Sequence, residues 1–238
     1  MDLTFSETFG ATTFILGVGA FIFLSVGAFV GYAAAQRPLK ARALPWWLFG
    51  VIGLWFGVGI AASTGNIISE QTVIFFALPP ILLGFLLSFY PPLKALIKEI
   101  PTHWLIGLQA YRAAGGVFLF PYWTAGILTT GFAMNAGIGD ILTGIFAIPV
   151  AILVLRRGIN ARWAFLAWTA FGILDLIVAF GSAAYFGFAV EGVQPLFPIT
   201  IIPLFFGPPF GILIHLITVR NFNMRHAAQE GQAPAAVL

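Results

Sequence analysis

Four ionisable side chains lie inside long apolar stretches of the sequence: Arg112, Asp140, Asp175 and His215. A charged side chain at the centre of a bilayer costs roughly 3 kcal/mol or more, so such groups are expected to face the interior of a helix bundle and to be paired. Ionisable residues at this depth often serve transport, proton transfer or ligand binding. They are therefore the first candidates for a functional site.

The positions of these residues within their apolar stretches predict which of them can meet. Arg112 and Asp175 lie ten and thirteen residues into their stretches, which places both near mid-membrane at about 1.5 Å per residue. Asp140 lies in the outer half and could join them, and Gln109 shares the helix face of Arg112. His215 lies four residues from the inner end of its stretch. The sequence thus predicts a ligand- or ion-binding cluster of Arg112, Asp140 and Asp175, with Gln109 and His215 as further members.

The charges of this cluster do not balance. Two acids face one arginine, so one acid is either protonated or paired with a bound cation. This favours a role in moving protons or cations. The alternative is a buried ion pair that only locks the packing of helices, and for His215 the alternative is a ring that reaches interfacial water or a carbonyl.

The elements that position these residues are predicted from the apolar stretches. Hydrophobic residues make up 60% of the 238-residue chain and charged residues only 8%, against about 25% charged residues in soluble domains. A spanning helix needs about 20 apolar residues, and seven stretches qualify: 12–36, 45–63, 72–90, 102–121, 132–155, 162–187 and 195–219. We therefore predict an all-α integral membrane protein with a single seven-helix domain over 1–226. A disordered cytoplasmic tail is predicted over 227–238.

The charged residues between the stretches predict the orientation. Ten of the eleven Lys and Arg residues fall on one side of the predicted bundle, while Asp2, Glu7, Glu70 and Glu191 fall on the other. By the positive-inside rule the basic side is cytoplasmic, so the N-terminus is outside and the C-terminus inside, in the plasma (inner) membrane. The net charge of +3 then reflects orientation in the lipid bilayer and gives no reason to expect nucleic acid as a partner.

Paired prolines interrupt the third and seventh stretches at Pro79–Pro80 and Pro208–Pro209. A proline inside a helix removes a backbone donor and clashes with the preceding turn, so both pairs are predicted hinges. Further prolines of the seventh stretch are Pro195, Pro198 and Pro203. Carbonyls freed by a break need water or neighbouring groups, so a broken seventh helix beside a cavity is expected.

Two stretches carry the same residues at the same spacing, without a gap. The second carries Trp46, Phe49, Gly50 and Gly59, and the sixth carries Trp168, Phe171, Gly172 and Gly181. This match fits a parallel 3+1+3 repeat of the kind found in some transporters. The alternative is chance, because Phe, Gly and Ala are common throughout this chain. Other intramembrane glycines, Gly53, Gly57, Gly59, Gly115 and Gly116, are read as sites of close helix packing.

Several kinds of chemistry are excluded. The absence of cysteine removes disulfides and thiolate metal sites, and the three histidines have no metal-binding spacing. Covalent retinal is excluded because the only lysines, Lys40, Lys94 and Lys98, lie in predicted cytoplasmic loops. No catalytic or nucleotide-binding motif is present, so the sequence favours no enzyme class and leaves any other cofactor unknown.

Three functions fit these features. The leading hypothesis is transport of a small solute or ion through the Arg112, Asp140 and Asp175 cluster. A second is a non-transporting accessory or sensor protein that binds a hydrophobic ligand between helices, such as a lipid, pigment or quinone. A third is an intramembrane enzyme acting on a lipid or isoprenoid, with Asp140 and Asp175 as acid and base. A homo-oligomer fits all three.

Overall fold

The structure, a computed structural model of the chain, describes residues 5–38, 43–64, 67, 73–193 and 207–230. Within these ranges the regular elements are helices, apart from one antiparallel bridge between Leu128 and Ala189. The helices are α1 (Phe5–Ala35), α2 (Ala43–Thr64), α3 (Val73–Leu87), α4 (Pro91–Glu99), α5 (Thr102–Leu108), α6 (Tyr111–Thr124), α7 (Thr130–Arg157), α8 (Arg162–Phe186) and α9 (Pro208–Glu230). The predicted all-α class is confirmed for the described residues.

Two helical stretches are long and apolar enough to cross a membrane, Thr13–Ala35 and Thr130–Phe186, and the bent pair of α3 and α4 makes three if it counts as one span. The second stretch joins α7 to α8 through the short 3₁₀ helix Gly158–Ala161. These two helices fold back on each other, since Trp168 Nε1 on α8 donates a 3.0 Å hydrogen bond to the carbonyl of Thr143 on α7. The apolar helices support membrane association.

The centre of the fold is made by α5 to α9. Phe165 on α8 stacks on Phe222 on α9 with ring centroids 4.7 Å apart. The backbones of α6 and α7 approach closely at two places, where Gly116 faces Gly137 and where Gly144 faces Ala113. A second apolar cluster joins α6 and α7 to α1. The centre of the bundle is therefore built from helices after residue 101, with α1 packed against it.

The helix α2 lies at the periphery, against α1, where Phe23 meets Phe49 at a centroid distance of 6.0 Å. This placement bears on the internal match between the second and sixth stretches. Trp46 is 51% exposed, whereas its counterpart Trp168 is 6% exposed. A methyl group added at Gly50 would meet nothing, whereas one at Gly172 would meet His215. These two matched pairs therefore differ in their packing, whereas Gly59 and Gly181 both face open space.

The helix α3 stays continuous through Pro79–Pro80, and the sharp bend in this region comes later in the chain. The axes of α3 and α4 differ by 90°. The bend falls just before Pro91, and Tyr90 there has an extended backbone (φ −63°, ψ 125°), as a residue that precedes proline prefers. Proline at the start of a helix costs no hydrogen bond, so Pro91 and Pro92 can begin α4.

The helix α9 begins at Pro208, so Pro208–Pro209 occupy its first turn, where the missing donors are harmless. The break expected at Pro195, Pro198 and Pro203 lies outside the described residues, as do Asp2, Lys40, Arg42 and Glu70. At its other end α9 extends to Glu230. It thus includes residues 227–230 of the predicted tail, and residues 231–238 lie outside the described ranges.

One end of the bundle gathers the basic residues. Arg37 at the end of α1 donates to the carbonyl of Pro92 at 3.4 Å, and Arg225 on α9 donates to the carbonyl of Lys98 at 3.1 Å. We call this the basic end, and its described members are Arg37, Lys94, Lys98, Arg156, Arg157, Arg162, Arg220 and Arg225. Arg112 is the exception among the described basic residues, as the sequence predicts.

Candidate functional site

Arg112 is a fully buried arginine at the centre of the bundle, with 2% of its surface exposed. Its Nε donates to Asp140 at 2.7 Å and its Nη2 donates to Asp175. Its Nη1 donates to the carbonyl of Gly172 at 2.9 Å and lies 3.4 Å from His215 Nε2. We call these five residues the Arg112 cluster. One guanidinium on α6 thus joins α7, α8 and α9.

The structure therefore brings together Arg112, Asp140, Asp175 and His215, which the sequence placed in one candidate site, and adds the backbone of Gly172. His215 was expected near the inner end of the seventh helix. It instead lies level with Arg112, because α9 continues eleven residues beyond the apolar stretch that ends at 219. Apolar content underestimates the length of a helix whose last turns carry polar side chains.

The helix that carries Arg112 is interrupted beside the site. The predicted fourth stretch, 102–121, divides into α5 and α6 at Gln109–Ala110. The amides of Gln109, Ala110, Arg112 and Ala113 each bond to the carbonyl three residues earlier, at 3.0–3.2 Å, which is the tighter 3₁₀ pattern. Such a segment in mid-helix often marks a hinge or a strained site. Neither a proline nor a glycine lies at the junction, so the sequence gives no signal for it.

Gln109 lies beside the Arg112 cluster without bonding to it. Its Nε2 donates to the carbonyl of Gly211 on α9 at 3.0 Å. Its Oε1 is buried and has no hydrogen-bond partner among the described residues. Gln109 therefore links α5 to α9 near the first turn of α9, and the expected extension of the charged cluster does not form.

The environment of His215 fixes its tautomer. An arginine can only donate hydrogen bonds, so the Nε2 atom that faces Arg112 must accept, and the ring hydrogen resides on Nδ1. That Nδ1 is buried without a hydrogen-bond partner among the described residues. The ring packs against Trp168 at a centroid distance of 4.8 Å. His215 is thus a neutral neighbour of Arg112 with one donor left over.

Glycines let the charged side chains reach one another. A methyl group at Gly139 would overlap the carboxylate of Asp175, and one at Gly172 would overlap the ring of His215. A methyl group at Gly144 would overlap the backbone of Ala113, next to Arg112. Each of these glycines is therefore required by a contact of the site. The sequence gives no sign of the roles of Gly139 and Gly144, since only the packing of α6, α7 and α8 brings neighbouring groups against these two positions.

A buried polar face of α9 leads from the Arg112 cluster toward the basic end. His215, Thr218 and Asn221 follow one another at intervals of three residues and are each at most 1% exposed. Asn221 Nδ2 donates to the carbonyls of Ile97 and Ile100 at 2.6 and 2.9 Å, and its Oδ1 accepts from Thr102. The three-residue spacing could have been noticed in the sequence, but these residues lie where the apolar stretch ends.

The formal charges of the Arg112 cluster balance when it holds one added proton. An arginine keeps its charge in proteins, so two carboxylates and one guanidinium carry a net charge of −1 without an added proton and are neutral with one. Asp140 has the most accessible side chain, 12% exposed, against 4% for Asp175 and 1% for Arg112. Among the described residues no three His, Asp or Glu side chains are grouped as a metal ion would require.

The fold and the cluster define a helical protein with membrane-type helices around a buried ion-pair site. Residues 70–222 match the family described as Domain of unknown function (DUF8737), and the chain belongs to this family. The matched region runs from α3 to most of α9, so it contains the whole Arg112 cluster and excludes α1 and α2. No curated protein and no solved structure matches the chain.

Proposed function

We propose that this chain is a seven-span membrane protein that transports a small solute or ion, and that the Arg112 cluster carries the proton coupled to that movement. The observation that supports this most directly is the excess of one carboxylate around a buried arginine. In a medium of low dielectric constant an unbalanced charge is costly, so the cluster favours the neutral, singly protonated state. Loading and release of that proton is a natural coupling step.

The directions of the described helices support seven spans. Contacts run antiparallel between α1 and α2, where Gly31 faces Trp46 and Gly53 faces Phe23. They run parallel between α3 and α9, where Gly84 faces Leu213 and Ser88 accepts from Arg220 at 3.3 Å. Both relations follow if successive spans alternate in direction from an outer N-terminus.

The later helices agree with the same scheme. Gly107 faces Ala151 and Gly116 faces Gly137, so α5 and α6 run antiparallel to α7. Gly211 faces Leu176, and eleven positions away along each helix Phe165 stacks on Phe222, so α8 runs antiparallel to α9. With α5 and α6 as one span and α4 lying across its end, the chain crosses seven times. The basic end is then cytoplasmic and the membrane is the plasma (inner) membrane.

Protonation would act on helix packing through Arg112. Each carboxylate connects its own helix to α6. Asp140 connects α7 to Arg112, and Asp175 connects α8 to the same side chain. A proton on either carboxylate weakens that tie, because a neutral acid loses its charge attraction to the guanidinium. The 3₁₀ junction at Gln109–Ala110 gives α6 a place to bend when a tie loosens. Proton binding is thereby converted into movement between helices, which opens the site to a solute.

Reconstituted vesicles test this proposal. The full chain is inserted into liposomes that contain a pH-sensitive dye, and candidate solutes of different charge are added outside. At least one solute is expected to drive proton flux, and Arg112→Gln and Asp175→Asn are expected to abolish it. Arg157→Gln, which removes an exposed charge at the basic end, serves as the control and should transport normally.

Insertion is checked separately, by gel filtration of each variant after extraction from the vesicles. An Arg112→Gln protein that elutes like the natural chain and still transports would overturn the mechanism. The absence of proton flux with every solute tested would overturn the coupling to protons.

A groove on the lipid-facing side of α7 and α8 favours a second candidate, a protein that binds a hydrophobic ligand without transporting it. The groove has a volume of about 330 Å³ and is lined by Leu142, Phe146, Val150, Ala164, Trp168 and Phe171. Trp168 also contacts His215, so a flat ligand in the groove would be sensed by the Arg112 cluster. Native mass spectrometry of gently extracted protein separates the two candidates, because a stoichiometric lipid, pigment or quinone is expected only for the second.

A further inference from the structure

A polar cleft lies at the basic end, between the C-terminal ends of α1 and α4 and the polar turns of α9. It has a volume of about 310 Å³. The residues that line it are Tyr32, Gln36, Lys98, Glu99 and Arg225. None of these residues belongs to the Arg112 cluster, so the cleft is a separate feature of the molecule.

The charge of the cleft favours an anion. Lys98 is exposed and forms no ion pair with a carboxylate of the described chain. Arg225 uses its Nη1 for the carbonyls of Lys98, Glu99 and Ile100 at 3.1–3.4 Å, which leaves the Nε and Nη2 donors for a ligand. Glu99 is the one carboxylate among the lining residues. Two cations and one carboxylate give the cleft a net charge of +1.

The helix α4 places this cleft at the level of the lipid headgroups. Its axis is turned by 90° from α3, and it buries Leu96 and Ile97 while Lys94 and Lys98 stay exposed. Its apolar face thus packs on the bundle, and its two exposed lysines are expected at the cytoplasmic membrane surface by the positive-inside rule. Arg225 and Asn221 hold its last carbonyls, so the position of Lys98 is fixed by α9.

Aromatic rings adjoin the cleft on the side of α1. Trp104 stacks on Phe29 at a centroid distance of 5.4 Å and meets Tyr32 edge-on at 5.0 Å. Tyr32 is 37% exposed and also lines the cleft. A ligand held by Lys98 and Arg225 would therefore have apolar and aromatic surface directly beside its charged group, as an amphiphile requires.

We propose that this cleft binds the phosphate headgroup of an anionic phospholipid of the cytoplasmic leaflet. The phosphate lies between Lys98 and Arg225, with Gln36 and the Tyr32 hydroxyl as further donors, and the glycerol and acyl chains follow the aromatic surface of α1. The adjoining aromatic rings favour a lipid over free phosphate, which would gain nothing from them. The proposal rests on the proposed orientation, which puts the basic end at the cytoplasmic surface, but not on transport, since no residue of the Arg112 cluster takes part.

Lipid titrations of the purified full chain test the proposal. Phosphatidylglycerol is titrated into the protein in neutral detergent, with phosphatidylcholine and inorganic phosphate as parallel arms, and binding is followed by native mass spectrometry. Only phosphatidylglycerol is expected to bind at a stoichiometry of one. Lys98→Gln should weaken binding roughly five-fold, the effect of one basic residue near an anionic membrane surface. Glu99→Gln should strengthen binding by a similar factor.

Arg157→Gln is the matched control, because Arg157 is an exposed member of the basic end that does not line the cleft. It should bind as the natural chain does, and unfolding curves in phosphatidylcholine establish that every variant is folded. Equal losses of phosphatidylglycerol binding in Lys98→Gln and Arg157→Gln would show binding to a diffuse basic surface and would overturn the proposed cleft. Equal binding of phosphatidylcholine, or equal binding of inorganic phosphate, would also overturn the proposal.

Discussion

At the scale of single residues, the packing around Arg112 depends on the absence of a side chain at Gly172. The carbonyl of Gly172 accepts from Arg112 at 2.9 Å, and the ring of His215 lies where a side chain at this position would begin. Thr143 lies within 3.0 Å of the same point. A glycine here therefore leaves room for the His215 ring and the Thr143 methyl group beside the carbonyl that Arg112 binds.

Gly172→Ala is expected to lower the stability of the folded protein by about 1–3 kcal/mol, the usual cost of overpacking a well-packed core. The added methyl group must displace His215 and disturb the bond from Arg112. Thermal unfolding followed by tryptophan fluorescence in detergent measures the effect. Gly181→Ala on the same helix is the control, because a methyl group there meets nothing. Equal melting temperatures for the two variants would contradict this account of the packing.

At the scale of helices, α6 and α7 approach so closely that their backbones set the geometry of the site. Gly116 would place an added methyl group 2.5 Å from the carbonyl oxygen of Gly137 and 3.0 Å from the amide of Ile141. The adjacent Gly115 faces open space. Of the two neighbouring glycines that the sequence marked as packing sites, one therefore fits that interpretation, because only one points at α7.

Gly116→Ala should separate α6 from α7, since neither backbone group can move aside as a flexible side chain would. Arg112 on α6 and Asp140 on α7 would then lose their 2.7 Å contact. We expect a melting temperature clearly below that of Gly115→Ala, which should match or exceed the natural chain because alanine favours a helix over glycine by about 1 kcal/mol. Loss of stability in both variants, or in neither, would contradict the proposed approach of the two helices.

At the scale of the whole molecule, the proposed topology separates the two ends of α8. Arg157 lies at the basic end and Glu191 follows α8 at the other end, and both are exposed. The 25 residues of α8 span about 37 Å at 1.5 Å per residue, which exceeds the hydrocarbon thickness of a bilayer. The two residues should therefore face opposite sides of the membrane.

The chain contains no cysteine, so single cysteines report topology without background. In intact cells a membrane-impermeant maleimide is expected to label Glu191→Cys, and to label Arg157→Cys only after permeabilisation. Labelling of both residues from the same side would refute the proposed crossing of α8, and labelling in the reverse order would invert the orientation. The natural, cysteine-free chain is the control for nonspecific reaction.

Much of the organisation follows from the sequence alone, for a direct reason. Lipid admits few charges, so the composition, the apolar stretches and the alternation of basic residues together predict a helical membrane protein with a cytoplasmic basic side. The same scarcity makes Arg112, Asp140 and Asp175 conspicuous. Their spacing along helices of known rise was sufficient to predict that they could meet, and the structure brings them together.

What only the tertiary structure decided concerns contacts between helices and the places where helices bend. The 3₁₀ junction at Gln109, the turn of α4 across α3, and the bond from Arg112 to the carbonyl of Gly172 depend on which helix faces which. Hydropathy is a property of one stretch at a time, and it cannot report these relations. The roles of Gly116 and Gly172 likewise depend on a neighbouring helix, because the absence of a side chain matters only where another group occupies that space.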